Sequence, residues 1–203
     1  MKLIIGVSGK LGSGKNYIVS NLIIPVLKNL NKNYLEISFA DQIKVNVMTK
    51  KGIMFNDIYV KKTSETRRLL QIEGTEEGRN SSLGADIWVK YLDNWITVFQ
   101  KRDIDVFIVP DCRFKNELAY VRSKCGILVK VVAPFRNQSR LKEESKGDHK
   151  IMEKLMTHCS ECDLDEIHDT EYDLIIKNDP NDKALKSHYS DIKNVISSHL
   201  IKL

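Results

Sequence analysis

The chain has 203 residues, 42% of them hydrophobic and 29% charged, with a net charge of +5. That is enough apolar material for a core, favours one α/β domain with small insertions, and excludes a disordered chain. Basic residues are scattered without a polybasic run, which argues against stable nucleic-acid binding, and no stretch approaches the roughly 18 apolar residues of a membrane span.

Residues 2–8 form a short β-branched run that reads as a buried strand, too short for a signal peptide; the expectation is a soluble, cytoplasmic protein with no membrane partner. Next comes Gly9-Lys10-Leu11-Gly12-Ser13-Gly14-Lys15, then Tyr17, Ile18, Leu22 and Ile23 at helical spacing. Pro25 should kink or restart that helix. Residues 34–39 read as a second strand ending at Ala40-Asp41, and 41–103 are mostly helical in pattern. One predicted helix covers 65–72; a longer one places Trp88, Leu92, Trp95 and Phe99 on one stripe, read as core. Residues 105–110 form a third strand delivering Asp111, 126–132 a fourth and 172–177 a fifth. The fifth is followed by Asn178-Asp179-Pro180 and a helix from about Lys183. The charged stretch 136–164, poor in strand formers, suits a mobile helical flap.

Short strands alternating with helices imply right-handed crossovers and a five-stranded parallel sheet flanked by helices, the α/β class of P-loop nucleotide-binding proteins. Ligands bind such sheets beyond the carboxyl ends of the strands, where Gly9, Asp41, Asp111 and Asn178 all fall. The expected organisation is a core (1–40, 104–135 and 165–203), a helical acceptor-binding region (41–103) and a lid (136–164).

Gly-x-x-x-x-Gly-Lys between a strand and a helix is a phosphate loop. Its glycines let several N–H groups converge on one anion, and Lys15 reaches the outer phosphates. Asn16 stands where a hydroxyl residue usually helps to hold Mg²⁺, and an amide oxygen is a poorer ligand for a hard cation. Asp111 fits the second Mg²⁺ position, directly or through water, although an Asp at a strand end is also a common helix cap. The guanine-selective Asn-Lys-x-Asp is absent, and no motor or transporter ATPase motif is present, leaving transfer to a small acceptor. Lys44, Arg67, Arg68 and Arg79 are the candidate acceptor cations; Arg67 and Arg68 lie about 100° apart on a helix, so one of them should be solvated. The four cysteines read as reduced thiols, and the spacing around His158, Cys159, Cys162 and His168 is poor for a zinc site.

Several blocks resemble the deoxynucleoside monophosphate kinases of phages and large DNA viruses, in the same order from residue 3 to about 180. They are Phe39-Ala40-Asp41-Gln42-Ile43-Lys44; Arg67-Arg68-Leu69-Leu70-Gln71 with Gly74-Thr75-Glu76-Glu77-Gly78-Arg79 and Trp88; Asp111-Cys112-Arg113-Phe114-Lys115-Asn116-Glu117; and His158-Cys159-Ser160-Glu161. The resemblance implies that ATP donates its γ-phosphate to a dNMP, with Mg²⁺. It places Gly9, Lys10, Gly12, Ser13, Gly14, Lys15, Asn16, Asn178 and Asp179 around ATP, the last two beside the adenine. Asp41, Lys44, Arg67, Thr75, Glu76, Arg79 and Trp88 would line the monophosphate pocket, with Asp111, Arg113 and Glu117 between donor and acceptor. Arg136, Arg140 and the block from His158 to Glu161 would form the lid, the two arginines joining Lys15, Asp111 and Arg113 as catalytic residues by spreading the charge of the phosphoryl group in flight, and the block contacting substrate. A homodimer follows only from the resemblance. The sequence departs from the family at Asn16 and at Gln42-Ile43, where Pro-Leu is usual. Two alternatives stay open: another small-molecule P-loop kinase, phosphomevalonate-kinase-like or dephospho-coenzyme-A-kinase-like, and an idle nucleotide-binding protein.

Overall fold

The computed structural model describes residues 2–60, 63–180 and 187–202, and divides into two compact units, residues 1–36 with 102–203 and residues 37–101. In chain order, β1 (Leu3–Ser8) leads through the glycine loop into α1 (Lys15–Ile18), a π-helical turn (Val19–Ile23) and α2 (Ile24–Asn29). The wide turn answers Pro25: with no N–H to give Asn21, and a ring that crowds that carbonyl, the chain loosens one turn and restarts. β2 spans only Tyr34–Glu36 instead of the expected 34–39, because Ser38 starts a helix at Phe39. The Asp41 carboxylate accepts the Ser38 N–H at 2.8 Å in a capping box.

The second unit contains α3 (Phe39–Lys51), a π turn (Asn56–Val60), α4 (Ser64–Gln71), a wide π-helical stretch (Ile72–Arg79) and α5 (Ile87–Gln100), and no strand among its described residues. The stripe on α5 is corrected. Trp88, Leu92 and Ile96 are buried, whereas Trp95 is 42% exposed and donates its indole N–H to Gln42 Oε1 at 3.0 Å. Spacing every fourth residue won over the alternating three-four pattern that the aromatics offered. A buried carboxylate, Glu73, accepts from Asn46 at 2.7 Å and from Lys50 at 2.7 Å, tying α3 to the π-helical stretch.

The chain then returns through β3 (Val106–Cys112), α6 (Lys115–Ser123) and β4 (Ile127–Val132). The β4-to-β5 crossover holds α7 (Pro134–Ser145), α8 (His149–Met156), a single turn α9 (Cys159–Cys162) and a 3₁₀ turn (Asp169–Glu171), before β5 (Leu174–Lys177) and α10 (Tyr189–Lys202). The five strands are all parallel in the order β2-β3-β1-β4-β5. β3 runs past Pro110, so Asp111 lies within the strand. The register of β1 on β3 shifts between Gly6 and Ser8, beside a proline with no N–H for the ladder. β5 is shorter than expected, and the predicted start of the last helix at Lys183 lies outside the described residues.

One face of the sheet packs Ile5, Val7, Val129 and Val131 against Ile18, Leu22 and Val26 of the first helical run and Ile192 and Ile196 of α10, all essentially inaccessible to water. This continuous apolar layer, worth roughly 1.5–3 kcal/mol per large side chain buried, fixes the carboxyl edge on which the glycine loop sits. Among the described residues no helix is long and apolar enough to cross a membrane.

Candidate functional site

Within the sheet-containing unit, β1 ends at Ser8 and the chain turns through Gly9, Gly12 and Gly14, all with positive φ. Space as well as φ demands glycine. A Cβ on Gly12 would lie 2.5 Å from Arg140 Cβ, and one on Gly14 would collide with the Asn178 amide nitrogen. Asn178 donates that nitrogen to the Ser13 carbonyl at 2.9 Å, and Asn137 donates to the Leu11 carbonyl at 2.5 Å, so the loop is braced from β5 and from α7. The Ser13 hydroxyl is fully buried without a hydrogen-bond partner among the described residues.

Lys15 opens α1 and is 9% exposed. Its ammonium donates to the carbonyls of Gly9 (2.6 Å) and Lys10 (3.2 Å). Burial, and next the repulsion of Arg113, lower its pKa from 10.5 to about 8, against the pull of Glu161 and Asp111. Asn16 is exposed and Asp111 half-buried near the end of β3. Next to Asp111, burial pushes the Cys112 thiol well above its ordinary range.

Arg113 leaves β3 with its guanidinium paired to Glu161. Glu117, 2% exposed, accepts the Arg113 N–H at 2.7 Å and the Phe114 N–H at 3.2 Å, capping α6. Its carboxylate orients the backbone that presents Arg113. Glu161 also accepts the Leu11 N–H at 2.7 Å, which brings the block from His158 to Glu161 directly onto the phosphate loop. His158 begins that turn, its ring nitrogen 3.3 Å from the Ser160 N–H, and burial lowers its pKa. Cys162 donates to the Met156 carbonyl, and no cluster of three metal-ligating side chains occurs among the described residues.

Asp179 accepts the N–H groups of Phe135 (3.3 Å) and Arg136 (3.1 Å) at the start of α7. Arg136 is exposed, and Arg140 pairs with Glu143 at 2.7 Å and Glu144 at 2.6 Å on its own helix. Gly12, Phe135, Arg136, Ser139 and Pro180 line an open groove beside the loop. Phe135, 69% exposed, is the residue there that sequence reasoning missed; its place directly after Pro134 at a helix start was the available signal.

The helical unit holds the remaining candidates. Lys44 pairs with Asp41 at 2.8 Å and lies over the Tyr59 ring at 4.5 Å, while burial and Asp41 push the Tyr59 phenol up to about 12. Tyr59 was not anticipated. Arg67 is half-buried and Arg68 exposed on α4, Thr75 is half-buried, Glu76 exposed, and Arg79 donates to the Ala85 carbonyl at 3.1 Å. Trp88, expected from the resemblance to line a pocket, is 2% exposed and gives its indole N–H to the Gly74 carbonyl at 2.8 Å, a structural use of both its ring and its polar atom.

No curated protein matches the chain. Solved structures of similar fold include TT1252 from Thermus thermophilus (15% identity, 100% of this chain and 98% of that one, TM-score 0.50). Shikimate kinase from Acinetobacter baumannii is 14% identical over 98% of this chain and 94% of that one (TM-score 0.48). Dephospho-CoA kinase from Campylobacter jejuni is 15% identical over 98% and 97% (TM-score 0.47). At 15% identity the likeness to TT1252 concerns the fold alone. The family model of phosphomevalonate kinase matches residues 7–127. Because that match spans more than half of the chain and takes in the glycine loop, Asp111, Arg113 and Glu117 together, the protein belongs to the phosphomevalonate kinase family.

Proposed function

We propose that this chain transfers the γ-phosphate of ATP to an acceptor that is itself a phosphate monoester. The observation behind this reading is the glycine loop at the end of β1, with Lys15 buried against its carbonyls and Arg113 joined to it through Glu161, a set of N–H and cationic donors that suits a polyphosphate anion. An acceptor phosphate oxygen attacks the γ-phosphorus; the new P–O bond forms as the β–γ bridge breaks, and the electron pair leaves on ADP. The attacking oxygen is already anionic at neutral pH, so positioning and charge neutralisation suffice, without a strong base. Lys15 and Arg113 spread the charge of the phosphoryl group in flight. Asp111 and Asn16 offer the hard oxygen donors that suit Mg²⁺ retaining several waters, which would neutralise the outer phosphates when bound. The groove at Phe135 and Pro180 suits the purine ring of the donor.

For the acceptor, the ordered sequence blocks favour a deoxynucleoside monophosphate, with Asp41, Lys44, Arg67, Thr75, Glu76 and Arg79 supplying the polar contacts. A second reading, phosphomevalonate, is favoured by the family match over residues 7–127. Both are phosphate monoesters. ADP release should be followed with ATP, Mg²⁺ and a panel of deoxy- and ribonucleoside monophosphates, phosphomevalonate and dephospho-coenzyme A. Release with dNMPs supports the first reading, and release with phosphomevalonate alone the second. Release with dephospho-coenzyme A alone, whose accepting group is a hydroxyl, or no release with any acceptor, rejects the proposal.

A further inference from the structure

The segment 158–166 lies across the glycine loop, and its carboxylates meet the donors there. Glu161 takes the Leu11 N–H at 2.7 Å and the Arg113 guanidinium. Asp165 pairs with Lys10 at 2.6 Å, Asp163 accepts the Lys115 N–H at 2.6 Å, and Glu166 pairs with the Lys115 ammonium at 2.6 Å. The two ion pairs, Lys10 with Asp165 and Lys115 with Glu166, involve exposed side chains and hold weakly. Glu161 differs: its side chain is only 10% exposed, and it bridges a loop N–H to an arginine. A carboxylate so held is chemically what a phosphate oxygen would be at the same donors. Beneath the segment a cavity of about 110 Å³ is bordered by Ser8, Cys112, Arg113, Lys130, Glu161 and Tyr172. The hydroxyls of Ser8 and Tyr172, both over nine-tenths buried, find no hydrogen-bond partner among the described residues. Glu161 thus occupies a loop N–H and a guanidinium, a donor pair suited to an oxyanion, beside a cavity whose walls include the residues of two unpartnered hydroxyls.

We propose that Leu11 N–H and Arg113 form a substrate oxyanion subsite that Glu161 fills in the resting protein, and that binding lifts the segment 158–166 from the loop. The oxyanion comes either from the terminal phosphate of the donor or from the acceptor phosphate. This rests on the phosphotransferase reading above. Glu161 acts as an internal competitor, so the measured affinity for the displacing group is the intrinsic affinity multiplied by the fraction of molecules in which the subsite is open.

Calorimetric titration of the full chain and of Glu161→Gln with a non-hydrolysable ATP analogue, ADP and dTMP tests this. The variant keeps an acceptor for Leu11 N–H but loses the charge that holds Arg113. It should bind the triphosphate analogue about tenfold tighter with ADP unchanged, if the donor supplies the oxyanion, or dTMP about tenfold tighter, if the acceptor does. Unchanged or weaker binding of both by a folded variant overturns the proposal. Failure of the wild-type chain to bind any of the three instead overturns the phosphotransferase reading, and the proposal with it. If Glu161→Gln does not fold, hydrogen exchange on the wild-type chain decides. Deuterium uptake across residues 158–166 should rise when the displacing ligand binds; constant or lower uptake rejects the displacement.

Discussion

Asn178 gives its side-chain amide to the Ser13 carbonyl at 2.9 Å while being only 3% exposed. The exit of β5 thereby holds the middle of the glycine loop from the far side of the sheet edge. Asn178→Ala should cost about 1–3 kcal/mol, the penalty for a buried carbonyl left without its donor. Asn178→Asp should cost more, because it faces the same carbonyl with a buried charge. Urea unfolding of both variants checks the order, and an aspartate variant as stable as the alanine one would mean that the amide does not brace the loop.

Lys15 makes stability depend on pH in a definite direction. Its folded pKa is lowered from 10.5 to about 8, so the unfolded chain binds the proton more tightly. The buried ammonium therefore destabilises the ligand-free protein below pH 8, by roughly 3 kcal/mol from that shift. The penalty fades as pH rises from about 8 to about 10.5. Lys15→Met should be at least as stable as wild type at pH 7, lack this rise between pH 8 and 10, and lose turnover by orders of magnitude. Denaturation series across that pH range, with the activity of the same samples, provide the check.

The same shift predicts a proton linked to ligand binding. A polyphosphate beside Lys15 restores the preference for the ammonium, so ATP binding near and above pH 8 should take up a fraction of one proton. Titrations with the Mg²⁺ complex of ATP in two buffers of different ionisation enthalpy should give different apparent heats there, and the difference should shrink as pH falls below about 8. Equal heats in both buffers at pH 8.5 would show that the phosphates do not approach this lysine.

Much of this architecture was legible because it rests on local signals. The glycine loop is set by spacing alone, and Asp111 follows an apolar run that has only one way to be buried. What was not legible depends on tertiary partners. The resemblance singled out Glu161 as a substrate contact, but no local pattern tells that its side chain is 10% exposed and held by the loop while that of Glu166 is 82% exposed. Asn178 and Asp179 were placed beside a base by resemblance; their bonds to Ser13, Phe135 and Arg136 come from a crossover of over forty residues whose path no local pattern dictates. Trp95 was misread because an apolar stripe on a helix has two near-equivalent registers, and only the neighbour opposite, here Gln42, selects between them.

Gly78 and Trp88 give the sharpest test of packing in the helical unit. Gly78 lies flush on the indole: a Cβ there would sit 2.8 Å from the Glu73 carbonyl oxygen and 2.8 Å from a ring carbon of Trp88, which is itself 2% exposed. Gly78→Ala should therefore cost about 2–3 kcal/mol, in the range of core overpacking. Trp88→Phe loses the bond to the Gly74 carbonyl and should cost a similar amount. The two changes share one volume, since the smaller phenyl ring leaves room for the alanine methyl. The double variant should accordingly be more stable than the sum of the single losses, by about 1 kcal/mol of coupling. Urea midpoints of the four proteins measure that coupling. Strict additivity would show that the glycine is required by the backbone at Glu73 and not by the ring.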